Sequence, residues 1–290
     1  MDLRIGTSGW SYPKGRGTWN GVFYPSPRPR GFDELAFYAE RFNTVEVNST
    51  FYGMPKPETA RRWIERTPAT FEFSVKLFQK FTHPTMFRDA VRAQTPEAGA
   101  AWLDDLAAIT QGDVDLFKAG IDPLWSGGRA GALLAQFPPS FTATPGALEY
   151  LAWLLQTFEG YGVAVELRHK SWSDRFDETA ALLGAHGAAW VQIDEPKFRF
   201  SIRQDQLPGV GPFCYTRLHG RNAAQWWRHD AAEDRYNYCY SEEELRPFAD
   251  TARMARALGK KVYLYMNNHF AAQAVVNAGM VRTLAGGLAP

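Results

Sequence analysis

Five ionisable side chains in this sequence are of types that carry out acid–base or nucleophilic chemistry, and each lies at the end of a short apolar run. They are Glu46, Lys76, Glu166, Asp194 and His219. A partly desolvated carboxyl group near cations can be tuned to act as a general acid or base, and imidazole titrates closest to neutrality. We therefore predict that these five are catalytic, with His219 preferred for proton transfer over His83, His169 and His269.

Lys76 has two chemical roles open to it. A desolvated lysine amine can form a Schiff base with a carbonyl compound, whereas a charged ammonium pairs with a substrate anion. The pairing role is the preferred interpretation. Arginines after other apolar runs would bind the carboxylate or phosphate of a ligand together with it, and these are Arg168, Arg217 and Arg221.

Further polar and aromatic residues follow the same apolar runs and are predicted to bind the ligand. They are Ser8, Trp10, Tyr12, Asn48, Gln136, Trp172, Asn267 and Asn268. Loop tryptophans, which also include Trp19, Trp226 and Trp227, suit stacking on sugar rings, and the alternative is that they only pack the loops. Two carboxylates on different strands would also suit cleavage of a glycosidic bond.

The elements that must position these residues alternate along the chain. Short β-branched or apolar runs predict eight strands, at 3–7, 44–47, 71–75, 133–136, 163–167, 189–193, 213–218 and 261–265. Longer patterns between them predict helices at 33–42, 57–66, 96–109, 145–158, 174–186, 242–258 and 270–284. Residues 119–131 are predicted to be a flexible loop. This order is typical of a parallel sheet with crossover helices, and eight units predict one (β/α)₈ barrel domain over residues 1–290, with elaborated βα loops.

Alternation within the strands predicts where the polar residues point. Residues two apart share a face, and charged groups are costly to place against packed helices, so the polar set of each strand should face inward. In the fifth strand this set is Ala164, Glu166 and Arg168, opposite the set of Val163, Val165 and Leu167. The same split places Glu46, Ser74, Lys76, Gln192, Asp194, Arg217, Tyr265 and Asn267 inward.

Inward polar residues therefore accumulate at the carboxyl ends of the strands, where the active sites of barrel enzymes lie. The sequence predicts one shared pocket there. The alternative is a purely structural layer of ion pairs that closes the barrel mouth, for example between Glu166 and Arg168 or Arg217.

Composition excludes several classes of protein. The 290 residues carry 32 basic and 31 acidic side chains, so no overall field holds the protein on nucleic acid or on an anionic membrane. Cys214 and Cys239 are the two cysteines and do not form a C-x-x-C pair, which argues against a disulfide framework. With no leader-like start and no run of membrane-spanning length, the expected location is the cytoplasm.

No cofactor and no metal site are predicted, because no H-E-x-x-H or comparable ligand spacing occurs. A divalent metal remains an alternative, with Glu46, Glu166, Asp194 and His219 as its ligands. The G-x-S-x-G pattern of a serine nucleophile is also missing from the sequence.

Several blocks of the sequence resemble a known family. They are GTSGWSY at 6–12, FNTVEVNSTFY at 42–52, FSVK at 73–76, QFPPSF at 136–141, ELRHKSW at 166–172, RLHGRN at 217–222 and NNH at 267–269. In this order they are similar to blocks of the YecE-like family, domain of unknown function 72. The resemblance implies a TIM-barrel fold and implies no particular reaction.

Three hypotheses about function follow from the sequence. The first is an enzyme of hydrolase, lyase or isomerase type that acts by acid–base chemistry on a small polar substrate, which is anionic, phosphorylated or sugar-like. The second is a non-catalytic protein that uses the same pocket to hold a metabolite or a nucleic-acid end, because arginine and tryptophan are interleaved between Arg217 and Arg228. The third is a barrel whose charge layer serves stability alone. The sequence carries no signal for the oligomeric state.

Overall fold

The computed structural model describes residues 2–97, 99–204 and 211–286. Strands alternate with helices along most of the chain, as the apolar runs predict, although no helix lies among the described residues between Trp190 and Cys214. The strands are β1 Leu3–Thr7, β2 Thr44–Val47, β3 Glu72–Lys76, β4 Ala130–Gln136, β5 Val163–Glu166, β6 Ala189–Trp190, β7 Gln192–Asp194, β8 Cys214–Leu218 and β9 Val262–Met266. The predicted single domain over residues 1–290 includes residues 1, 98, 205–210 and 287–290, which lie outside the described residues.

Twelve α-helices occur in the described part of the chain. They are α1 Glu34–Ala39, α2 Ser49–Tyr52, α3 Pro57–Glu65, α4 Gln79–Thr82, α5 Pro84–Gln94, α6 Ala100–Ala107, α7 Gln111–Ser126, α8 Pro145–Thr157, α9 Lys170–Ser173, α10 Phe176–Ala185, α11 Glu242–Ala257 and α12 Gln273–Leu284. Short 3₁₀ helices span Ala232–Tyr236 and Phe270–Ala272. None of the described helices has both the length and the apolar character needed to cross a membrane.

All strands pair in parallel, in two sheets. One sheet has the order β2-β3-β4-β5-β6 and the other has the order β1-β9-β8-β7. The sheets meet at two edges. At one edge Ser8 and Glu46 form an isolated parallel bridge, and the Gly9 N–H donates to the Glu46 carbonyl at 2.8 Å. At the other edge the Val191 N–H, between β6 and β7, donates to the Val165 carbonyl at 2.9 Å. The predicted sixth strand is therefore split in two, and the α/β class with parallel sheets is confirmed.

The predicted flexible loop at 119–131 is wrong, because most of it is the second half of α7. The helix begins with a capping box in which Thr110 and Asp113 satisfy each other's backbone N–H. Gly120 lets the helix approach the chain closely, since a Cβ there would lie 2.3 Å from the Pro55 carbonyl oxygen. Pro123 lies in the last turn. Gly120, a residue type that favours loops in a sequence, thus serves helix packing, and Pro123 is accommodated in the last turn.

The predicted inward face is confirmed for the second, third and last strands. The Tyr265 hydroxyl lies 2.7 Å from Thr44 Oγ1 and 2.8 Å from Ser74 Oγ inside the fold. On the outer face of β8, Cys214 packs with alanines of α11 that include Ala249 and Ala252.

The predicted inward orientation of Asp194 and Gln192 is wrong. The register pairs Ile193 with Arg217 and Asp194 with Leu218, so Asp194 shares the outer face with Leu218. A carboxylate is stable there because the Tyr240 hydroxyl donates to Asp194 at 2.7 Å and Arg221 Nε donates at 2.8 Å.

Candidate functional site

A buried layer of ion pairs lies at the carboxyl ends of the strands, with Arg217 of β8 at its centre. Arg217 is 1% exposed and binds Glu46 of β2 side-on, with Nε to Oε2 at 2.9 Å and Nη2 to Oε1 at 2.7 Å. Its Nη1 donates to Glu166 of β5 and, at 3.0 Å, to Gln136 of β4. The Tyr215 hydroxyl adds a hydrogen bond of 2.7 Å to Glu46. The guanidinium of Arg217 thus joins four strands. We call Arg217, Arg168, Glu46 and Glu166 together the charge layer.

The charge layer holds both glutamates in the ionised form. Burial raises the pKa of Glu46, but the Arg217 charge and its hydrogen bonds outweigh burial and the net pKa is lowered. Burial likewise opposes ionisation of Glu166, while Arg217 and then Arg168 hold its pKa well below the ordinary range. Carboxylates with lowered pKa values and occupied oxygens hold no proton to donate at neutral pH and are weak bases.

Arg168 extends the charge layer toward a third carboxylate that sequence reasoning missed. Its Nε donates to Glu166 Oε1 at 2.7 Å, and its Nη1 lies 3.3 Å from Glu195 Oε2. Burial raises the pKa of Glu195, although Arg168 opposes this effect. The only sequence signal for Glu195 was its position directly after the strand-end residue Asp194.

His219 lies next to the charge layer and is neutral. Asn267 Nδ2 lies 2.8 Å from its Nδ1, and Arg168 and Arg217 lie 3.3 Å and 3.4 Å from its Nε2. Burial lowers the pKa of His219 to about 3, despite the nearby Glu166 carboxylate. Because His219 is buried beside two guanidiniums, it binds a proton poorly and is suited to fixing the arginines.

A cavity of about 590 Å³ lies directly above the charge layer. Its floor and one wall are polar, and its other walls are rich in aromatic rings. The lining residues that the sequence predicted are Trp10, Tyr12, Asn48, Lys76, Gln136, Arg168, Arg217 and Asn267, and the loop tryptophans Trp226 and Trp227 also line the cavity. Ser8, Glu46, Glu166 and His219 are buried and belong to the charge layer or adjoin it.

Lys76, at the end of β3, differs from Arg168 and Arg217 of the same pocket. In the described part of the chain no carboxylate oxygen lies within 4.0 Å of its ammonium nitrogen, and the nearest recorded partner is the Phe51 ring, 3.9 Å away. Burial and then the Arg217 charge lower the pKa of Lys76 to about 7. Lys76 is therefore a buried amine without a counterion that changes charge near neutral pH.

Four predicted site residues lie outside the pocket. Trp172 is fully buried, donates from Nε1 to the Phe141 carbonyl at 2.8 Å and packs on the Phe141 ring. Asn268 donates to Tyr238 and Asn277, and Arg221 and Asp194 pair with each other on the outer face of the sheet. Each of these side chains stabilises a segment that connects a strand to the next element, outside the cavity.

Several lining residues were missed or ranked second. Phe51, Tyr52, Met86, Pro138, Pro139, Arg235 and Tyr236 were not singled out, and His83 and His269 were second choices. Phe51 and Tyr52 lie on α2, one turn after β2, where strand-end position was the available signal. Arg235 and Tyr236 come from the long segment between β8 and α11, where no periodic pattern indicates a fold.

The four residues of the alternative metal site do not converge. Glu46 and Glu166 bind Arg217, whereas Asp194 binds Arg221 on the other face of its strand. Within residues 2–97, 99–204 and 211–286 no group of three or more His, Cys, Asp or Glu side chains is arranged to hold a metal ion.

The whole chain is similar to known proteins of one family. Residues 4–289 match the family described as "Protein of unknown function DUF72". The UPF0759 protein YunF of Bacillus subtilis is 26% identical over 303 residues, which cover 99% of this chain and 98% of YunF. The UPF0759 protein YecE of Escherichia coli is 30% identical over 181 residues, or 62% of this chain and 53% of YecE. A crystal structure of a DUF72 family protein from Thermotoga maritima is 30% identical, with a TM-score of 0.78 over 99% of this chain and 100% of that chain.

Proposed function

The chain belongs to the DUF72 family, as its sequence blocks indicated, and we propose that it is an enzyme that acts by acid–base chemistry on a small organic anion in the pocket. One observation carries the proposal, namely that Lys76 is a buried cation of the pocket without a carboxylate partner. The positive charges of the charge layer are already matched by Glu46 and Glu166. An anionic ligand would supply the charge that Lys76 lacks.

Lys76 is also the group best suited to move a proton. A general acid or base works best when its pKa lies near the working pH, and the pKa of Lys76 is lowered to about 7. The glutamates below it and His219 beside them are held in fixed protonation states. We therefore assign to Lys76 the proton-transfer role that the sequence predicted for Glu46, Glu166 and His219, and those three residues position the arginines and the ligand.

The proposal includes a closed barrel as its scaffold. The hydrogen bonds at Gly9 and Val191 join the two sheets at both edges, and treating β6 and β7 as one strand gives eight strands in a ring. Ring closure would gather the carboxyl ends of all strands around one pocket, which is where barrel enzymes place their active sites.

Anion binding is tested with sulfate, because sulfate keeps its charge across the neutral range. We expect sulfate to raise the melting temperature of the wild-type protein, since a ligand of the folded state stabilises it by mass action. The Lys76→Met variant should lose this rise. Lys80→Met is the matched control, because Lys80 is buried four residues away and already pairs with Asp113 at 2.8 Å.

The two variants separate the outcomes. If sulfate stabilises wild type and Lys80→Met but not Lys76→Met, the anion lies at Lys76. If sulfate, tested up to tens of millimolar, stabilises none of the proteins, or stabilises Lys76→Met as strongly as wild type, the proposal is wrong.

A second candidate function is binding of a single-stranded nucleic-acid end. An aromatic step formed by Phe198, Phe200 and Trp227 lies at the pocket rim, with the two phenylalanine rings stacked 5.7 Å apart and Trp227 55% exposed. Exposed basic residues flank the step, and they are Lys197, Arg199, Arg203 and Arg228. Exposed rings with adjacent basic groups suit base stacking and phosphate contact.

Oligonucleotide binding tests this second candidate. We expect fluorescence anisotropy to detect a short single strand at low salt, with affinity that falls steeply as salt rises. Trp227→Ala should weaken binding about tenfold or more, as loss of a stacked base does. Trp153→Ala, at an exposed tryptophan of α8, is the control. Absence of binding at low salt contradicts the candidate.

A further inference from the structure

Two polar groups in the pocket wall remain uncommitted to other side chains. One is the Lys76 amine, and the other is the Asn48 amide, whose Oδ1 is buried and accepts no hydrogen bond from a described residue. The register pairs Val47 of β2 with Val75 of β3, so the next residues, Asn48 and Lys76, are neighbours at the ends of these adjacent strands. The pocket thus presents an amine and a free amide side by side.

Lys80 shows what a buried lysine needs when its role is structural. It is 5% exposed, comparable with Lys76 at 9%, and its ammonium lies 2.8 Å from Asp113 Oδ2. Lys76 has no such carboxylate within 4.0 Å among the described residues, and burial and then the Arg217 charge lower its pKa although Glu166 and Glu46 oppose them. Burial without a close counterion disfavours the ammonium and favours the neutral amine, which is the nucleophilic form.

We propose that Lys76 forms an imine with the carbonyl carbon of the bound anion, so that the substrate is an aldehyde or ketone that carries a carboxylate or phosphate. This inference rests on the proposed function, because it takes the anion bound in the pocket as the reactant. The Asn48 amide nitrogen would donate to the carbonyl oxygen, and Arg168 would face the anionic group.

The step balances without an oxidant or a reductant. The neutral amine nitrogen attacks the carbonyl carbon, and the π electron pair moves to the oxygen, which takes a proton lost from nitrogen. The resulting carbinolamine loses its hydroxyl group together with a second proton from nitrogen as one molecule of water, and the nitrogen lone pair forms the C=N bond. The imine withdraws electrons from the adjacent carbon, which makes a proton or a carbon substituent there easier to remove.

The state of the amine supports this chemistry. With a pKa lowered to about 7, a substantial fraction of the Lys76 amine is neutral at pH 7. An ordinary exposed lysine is neutral to roughly one part in a thousand or less at that pH. The larger neutral fraction alone should therefore make Lys76 react much faster with a carbonyl compound than the exposed lysines of the same molecule.

Reductive trapping with glyoxylate tests the inference in the wild-type protein, so no variant has to fold. Glyoxylate is a small anionic aldehyde, and sodium cyanoborohydride reduces its imine to a stable carboxymethyl-lysine. The rate of modification of each lysine at pH 7 is then measured by peptide mass spectrometry. We expect Lys76 to react at least about tenfold faster than exposed Lys56 and buried, paired Lys80.

The result is interpreted together with sulfate binding, which separates this inference from the proposed function. Fast modification of Lys76 that sulfate slows supports both. Sulfate binding at Lys76 with modification no faster than at Lys56 overturns the imine and leaves anion binding intact. Slow modification without sulfate binding overturns both.

Discussion

The ionisable residues at the strand ends of this site divide into those that neutralise one another and Lys76, which has no carboxylate within 4.0 Å among the described residues. Arg217 meets two buried carboxylates, and Arg168 meets Glu166 and Glu195. Buried ion pairs of this kind rarely add stability over apolar packing, but removing one partner is costly because the other charge remains buried.

Replacement of Arg217 tests the charge layer. We expect Arg217→Met to lower the free energy of unfolding by about 3–5 kcal/mol, because it leaves Glu46 and Glu166 buried without their main counterion. Arg61→Met, which removes an exposed pair with Glu58, should change it by less than about 1 kcal/mol. Urea denaturation at pH 7 measures both values, and equal small losses would argue against a buried charge layer.

The lowered pKa of Lys76 has a consequence for stability. The unfolded chain holds the lysine proton up to a pKa of about 10.4, whereas the folded protein releases it near pH 7. The unfolded state therefore binds more protons between these values, and the contribution of Lys76 to stability rises with pH in this window. Below pH 7 the full cost of the buried ammonium is present.

Lys76→Met should therefore stabilise the protein most at low pH. We expect the gain in free energy of unfolding over wild type to shrink by on the order of 2–3 kcal/mol between pH 6 and pH 9.5. Lys56→Met, at an exposed lysine, should show a constant difference. Denaturant titrations in buffers without multivalent anions measure it, and a constant gain for Lys76→Met would mean that its pKa is not lowered.

At the scale of elements, the sequence predicted the strands better than the connections. The bounds of β1 and β2 agree to the residue, and the other strands differ by one to three residues at an end, apart from the interruption at Val191. Alternation succeeds because each strand has one apolar face against helices. It failed at Asp194, where Arg221 and Tyr240 satisfy a carboxylate on the outer face.

The connections were harder to predict because tertiary contacts decide them. Helices α2, α4 and α9 have four residues each, too few to show a helical pattern in the sequence, and α5 contains no buried residue among those described. The helix α7 contains a glycine and a proline that favour a loop in isolation, and its packing against Pro55 outweighs those preferences.

Substitution of two helical glycines by alanine distinguishes the effect of close packing from the effect of helix propensity. We expect Gly120→Ala to lower the free energy of unfolding by about 2 kcal/mol or more, since the new methyl group would meet the Pro55 backbone. Gly279→Ala in α12 should raise it by about 0.5–1 kcal/mol, because open space surrounds that position and alanine favours helix. Equal effects in thermal or urea unfolding would contradict the close approach of α7.

At the scale of the whole molecule, the pocket depends on the two sheets acting as one unit. The pocket residues come from both sheets, with Lys76 on one and Arg217 on the other. Sequence reasoning identified most of the floor because strand ends converge, and it missed walls such as Tyr236 because loops reach the pocket from distant positions in the chain.

Hydrogen exchange tests whether the sheet edges are closed. We expect the amides of Gly9 and Val191, which join the sheets, to be protected within about tenfold of Leu77, whose N–H donates to Leu134 inside one sheet. Exchange of either edge amide that is faster by several orders of magnitude would show that the sheets open at that edge.

The most direct test of anion recognition by Lys76 is proton uptake on sulfate binding. Titration calorimetry at pH 8 in buffers of different ionisation enthalpy measures it. Because the free amine is mostly neutral at this pH and a bound anion favours the ammonium, we predict an uptake of about one proton per sulfate, absent in Lys76→Met and kept in Lys80→Met. Sulfate binding without proton uptake, or with the same uptake in Lys76→Met, would contradict the assignment of the anion site to Lys76.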